Sequence, residues 1–110
     1  ITTLSILIAL TITMAAQAQP GWKWPVEQKD VAEEKNVLYS DAVKMQDWSV
    51  AIPPLQWLIN KAPDLNKSLY VNGAKIYDNL AKVEKDAAQK EVYIDSLMLM
   101  YAYNVTKGIF

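Results

Sequence analysis

Apolar residues recur at three- and four-residue steps through most of this chain, and that period predicts amphipathic helices. Between Asn36 and Tyr77 the pattern describes one helical hairpin followed by the first helix of another. In the first helix Val31, Leu38, Ala42 and Met45 fall on one face, with Tyr39 beside them. In the second, Trp48, Ala51, Ile52, Leu55, Leu58 and Ile59 form the stripe. Ala62-Pro63-Asp64 stops that helix, and Leu69, Gly73, Ile76 and Leu80 restart the spacing. Two helices, a stop and a restart predict a repeat.

Local signals place the ends. The first helix is expected to start near Lys29 or Asp30, with Asp30, Glu33 and Glu34 in its first turns, where the positive end of the helix dipole favours carboxylates. Gln46-Asp47 reads as a turn, with Asp47 or Ser49 able to cap the next helix. Pro53-Pro54 conflicts with a helix beginning at Trp48, because each proline would remove a backbone hydrogen bond. The expectation is a second helix that begins late, around Val50 to Pro53, or bends there, with the packing of Ala51, Leu55 and Leu58 deciding the matter. A third helix is expected from about Asn66 to Lys82. Gly73 inside it costs roughly 1 kcal/mol relative to alanine, and close approach of a neighbouring helix would account for it. The polar run AKVEKDAAQK reads as a helix extension, a loop, or both. In a last helix Val92, Ser96, Leu97, Met100 and Tyr103 share a side, while Leu97-Met98-Leu99-Met100 is apolar on more than one face and calls for a further neighbour.

The first 18 residues carry no charge, and their apolar run from Leu4 to Ala16 is shorter than the ~20 residues of a membrane span. With Ala16-Gln17-Ala18 ahead of a cut before Gln19, residues 1–18 read as a signal peptide, against an ordinary buried helix or an uncleaved anchor. The basic start of such a peptide is missing and the chain opens on Ile1, so a few further N-terminal residues are expected. The mature chain would be exported, periplasmic or secreted. Residues 19–28 form an extended lead-in with Trp22 and Trp24 around Lys23. These rings would cover the open end of the first hairpin, or alternatively stack on sugar rings. Residues 29–110 complete a single small domain of about four helices. Its apolar C-terminal surface implies a longer chain, and Asn104-Val105-Thr106 matches a glycosylation sequon.

Composition removes chemistry. The 110 residues include no histidine and no cysteine, which excludes imidazole bases, thiolate nucleophiles, disulfides and most zinc sites. A net charge of −1 gives no field for nucleic acid. Only three glycines are present, and none builds a phosphate-binding loop. Glu33 and Glu34 are adjacent, so they point about 100° apart on a helix and do not form an acid–base pair. No catalytic residue, metal site or cofactor is expected, and the chain is read as non-enzymatic.

These residues resemble the tetratricopeptide repeat. With Pro63 as the closing proline, Leu38 takes the early leucine, Ala51 the alanine of the second helix, Leu55 the next large apolar position and Trp48 the aromatic of the turn. In the following unit Leu69, Gly73 and Ile76 take the large, small and aromatic positions. Tyr39, Ala42 and Leu58 depart from the pattern. Matching Ile52, Leu55 and Leu58 to Ile94, Leu97 and Met100 gives an offset of about 42 residues against ~34 in the family. Behind its leader the chain is similar to the exported tetratricopeptide proteins of the Bacteroidota envelope. The resemblance implies an all-α fold, an antiparallel helix-hairpin α-solenoid fragment of about two repeats. It also implies a peptide or protein partner on a concave face that presents Asn36, Ser40 and Lys44, then Lys67, Tyr70 and Tyr77. The family's carboxylate clamp is not matched, since Asn36 and Ser40 stand where Lys and Asn are required. Tyr70 and Tyr77 would equally serve to seal the hairpin core.

The functional expectation is an interaction scaffold of the cell envelope, with a glycan-binding or structural module using the tryptophans as the alternative. No stable membrane span remains after signal cleavage, and further repeats or a second copy of the chain would take up the remaining apolar surface.

Overall fold

The computed structural model describes residues 22–106. The expected signal peptide and the first residues of the lead-in lie outside the described residues. Those that are described form four helices and no strand: α1 (Lys29–Lys44), α2 (Trp48–Lys61), α3 (Ser68–Val83) and α4 (Ala87–Thr106). The fold is all-α. Short connections force each helix to run antiparallel to the one before it. Tyr77 meets Tyr93, Gly73 faces Met100 and Tyr70 meets Tyr103, so residue numbers rise on α3 as they fall on α4.

The chain turns by backbone rules as much as by residue type. At the end of α1, Gln46 adopts a left-handed conformation with φ 58°. Its N–H donates to the Val43 carbonyl and that of Asp47 to the Ala42 carbonyl. This is the Schellman arrangement, formed here without the usual glycine. Before α3, the Asn66 carboxamide accepts the Ser68 N–H at 2.9 Å. Before α4, the Asp86 carboxylate accepts the Gln89 N–H at 2.9 Å while the Asp86 N–H donates to the Glu84 carboxylate. The polar run after Ala81 therefore contains a helix end, a capped turn and a new helix start.

Two expectations need correction. Helix α2 does not begin late: it starts at Trp48 and carries both Pro53 and Pro54 inside it. The carbonyls that lose a donor are those of Ser49 and Val50, which are exposed residues and can turn to water, while Ala51, Leu55 and Leu58 are fully buried. The buried face of α1 is also rotated. Ala32, Tyr39 and Ala42 are buried, whereas Leu38 is 47% and Met45 76% exposed. One large ring and two alanines make up the buried residues of α1, and Leu38 is left outside.

Helix α3 is the centre of the domain, with α2 and α4 packed on it. It buries Leu69, Gly73, Ile76 and Leu80 as expected, and Tyr70, Ala74, Tyr77 and Ala81 as well. Gly73 marks a close approach: a methyl group there would lie 2.6 Å from Met100 Sδ and 3.5 Å from Leu55 Cδ2. Helix α4 buries only Met100 and Asn104. Met98, Leu99 and Val105 remain more than half exposed, so the expected surplus of apolar surface on this helix is present.

Candidate functional site

A groove of about 290 Å³ lies between α2 and α4, over α3. Both flanking helices are held by α3, and α4 is drawn against it at Gly73. The floor is buried and consists of Tyr77 and Met100. Gln56, Ile59 and Asn60 line one wall, and Ser96, Leu99 and Tyr103 the other. Gln56 and Asn60 are exposed, so their carboxamides stand at the rim.

The polar groups are neutral and partly committed. Gln56 Nε2 donates a long bond of 3.4 Å to the Tyr77 hydroxyl. Ser96 Oγ donates to the Val92 carbonyl, 3.0 Å away and one turn back, and its lone pairs still face outward as acceptors. The aromatic faces are used inside the domain. Tyr103 stacks on Tyr70 with centroids 5.0 Å apart, and Tyr77 lies tilted against Tyr93 at 6.4 Å. What the groove offers is hydrogen-bonding edges around an apolar floor.

The residues expected to bind a partner do not share one environment. Tyr77 is the one that lines this groove. Tyr70 is buried, and its hydroxyl donates to the Pro63 carbonyl, tying α3 to the residue that closes α2. Burial first, then the neighbouring Tyr103 and Asp64, push its phenol up to about 12. Lys44 and Lys67 are exposed, while Asn36 and Ser40 are half-buried on α1. Asn36 Oδ1 is fully buried without a hydrogen-bond partner. Gln56, Asn60, Ser96 and Tyr103 escaped the sequence reading as site residues. The signal available was Gln56 and Asn60 one turn apart, two carboxamides set around Ile59 in an otherwise apolar stripe.

The tryptophans are partly withdrawn. Trp22 and Trp24 stack on each other at 5.3 Å with an interplanar angle of 10°, and both are half-buried against the core. Between them the Lys23 N–H donates to the Leu65 carbonyl at 2.8 Å, which lays this segment across the α2–α3 connection. The sequon asparagine, Asn104, is fully buried with both amide atoms unpaired, so its nitrogen is closed to a modifying enzyme once the domain has folded. Among the described residues, no cluster of three metal-ligating side chains forms, and no helix is long and apolar enough to cross a membrane. No family model, curated protein or solved structure matches this chain.

Proposed function

We propose that this chain is a non-enzymatic interaction scaffold of the tetratricopeptide type, exported to the cell envelope, that binds a peptide or protein partner. The observation that carries the reading is the open groove walled by α2 and α4, with neutral hydrogen-bonding groups above an apolar floor; it shares only Tyr77 with the α1 and α3 face that the resemblance implies. A helical array with such a groove presents a shaped surface and no reactive group, and the absence of histidine and cysteine from the sequence fits that role. The uncharged segment 1–18 is the basis for the exported location.

Affinity capture from envelope extract, with partners identified by mass spectrometry, tests the reading. One variant pairs Lys44→Glu with Lys67→Glu; the other pairs Gln56→Ala with Asn60→Ala. All four side chains are exposed, so both variants keep the core. Specific partners are expected on the unaltered protein and are expected to be lost from one variant. Capture of no specific protein, or equal capture by all three forms, overturns the proposal.

A further inference from the structure

We infer that the groove between α2 and α4 binds a neutral, extended peptide segment, held by its main chain on Gln56 and Asn60 and by one apolar side chain over Met100. This inference rests on the scaffold reading and names the ligand class of that site.

Charge makes the first selection. None of the residues lining the groove is ionisable near neutral pH, so a charged group entering it would lose water and gain no ion partner. Hydrogen bonding makes the second. A carboxamide carries donors and an acceptor, the same complement as a peptide group. Gln56 and Asn60 are one turn apart, a rise of ~6 Å along α2. Same-side residues of an extended chain repeat at ~6.6 Å. The two carboxamides can therefore engage successive peptide groups on one side of a strand. The Tyr77 hydroxyl accepts from Gln56 and keeps its own proton for a ligand carbonyl.

Shape makes the third. A volume of about 290 Å³ holds one large apolar side chain and its flanking peptide groups, not a folded surface. Tyr77, 4% exposed and tilted against Tyr93, offers no ring face to a sugar, and Tyr103, stacked on Tyr70, keeps only its outer face. Leu99, 57% exposed, sits beside the floor where an apolar side chain would cover it.

The test is a nuclear magnetic resonance titration that follows the side-chain amide signals of Gln56 and Asn60. The probes are blocked peptides of sequence Gly-Thr-Ser-X-Ser-Thr-Gly, with X as Leu, Phe, Asp or Lys. Leu and Phe peptides are expected to shift both signals, and Asp and Lys peptides to bind at least about tenfold more weakly. An ester in place of the amide after X, which removes one N–H donor, is expected to weaken binding about fivefold. Asn60→Ala is expected to do the same, while Lys85→Glu, exposed on the connection between α3 and α4 and outside the groove, leaves binding unchanged. No shift with any peptide, or equal binding of charged and apolar probes, overturns the inference. So do shifts caused instead by an N-acetylglucosamine tetramer. Failure here together with partner capture that depends on Lys44 and Lys67 leaves the scaffold reading standing with its surface elsewhere. Failure of capture as well removes both.

Discussion

Gly73→Ala isolates what holds α3 against α4. In an open helix this substitution stabilises by about 1 kcal/mol, because alanine loses less backbone entropy on folding. Here the new methyl would lie 2.6 Å from Met100 Sδ and 3.3 Å from its Cγ. Those atoms are in the middle of a side chain that is only 4% exposed, so relief requires a new rotamer inside a packed core. Overpacking of this kind costs about 1–3 kcal/mol. The sum is neutral to destabilising, up to about 2 kcal/mol, opposite in sign to the helix propensity.

Repeating the substitution without the methionine separates the two effects. Met100→Ala alone is expected to cost about 2–5 kcal/mol, through lost burial and the space left beside Gly73. In that background the added methyl meets no sulfur. Gly73→Ala should then stabilise by about 1–2 kcal/mol, combining helix propensity with burial of one methyl. The difference amounts to a coupling of about 1–4 kcal/mol between the two positions. Urea unfolding of the four proteins, followed by far-ultraviolet circular dichroism, measures it, with equal m-values required before the energies are compared. If Gly73→Ala has the same effect with and without Met100, α3 and α4 do not meet at these two residues and the close-contact account is refuted.

The backbone at the α1–α2 turn makes a simpler prediction. Gln46 is held at φ 58°, a conformation that costs a residue with a Cβ about 1 kcal/mol, so Gln46→Gly should raise the urea midpoint by the equivalent of about 0.5–1 kcal/mol at unchanged m. A lower midpoint would mean that the turn is held by the glutamine side chain rather than by the two backbone bonds. Tyr70 predicts an alkaline effect. Its folded-state value of about 12 lies above the ordinary tyrosine value of 10.0, so the stability tied to the neutral phenol is complete below pH 10 and is lost as pH rises from there towards 12. Tyr70→Phe should cost about 1 kcal/mol at neutral pH, through the lost bond to the Pro63 carbonyl, and should flatten the alkaline decline. Parallel pH profiles for the two proteins would refute the assignment to Tyr70.

Helix existence is legible because each stripe is periodic and each stop is chemical. Pro63 and the Gln46-Asp47 turn need no tertiary information. What the pattern does not show is which residues of a stripe face inward when size rather than polarity decides. On α1 the spacing favours Val31, Leu38 and Met45, yet Tyr39 with Ala32 and Ala42 is buried. Tyr39 is a large residue where the repeat pattern has a small one, and Ala42 a small residue where it has an aromatic. They lie close to one turn apart on the buried side of α1, a large and a small side chain filling one layer. A rule that scores positions one at a time registers two departures there. Packing needs only that the layer be full.

The prolines of α2 show the same dominance of packing at its limit, and they lead to the site. Two consecutive prolines inside a helix forbid it by local rule, yet α2 continues, because the orphaned carbonyls lie on its wet face and its dry face fills the core. Local chemistry governs where it faces water and yields where many apolar contacts accumulate. The groove between α2 and α4 is legible by neither route. Gln56 and Asn60 on α2 come to face Ser96 and Tyr103 on α4 only because both helices dock on α3 and Gly73 lets α4 settle close. No spacing along the chain encodes that meeting. The same packing turns Tyr70 and Tyr77 inward, so truncating either would remove core before it tested binding. Asn60, exposed on a helix anchored by Leu55 and Leu58, can be changed without touching the core, whereas changing Gln56 also removes its bond to the buried Tyr77 hydroxyl. A loss of ligand on changing Asn60 therefore reports on the groove alone.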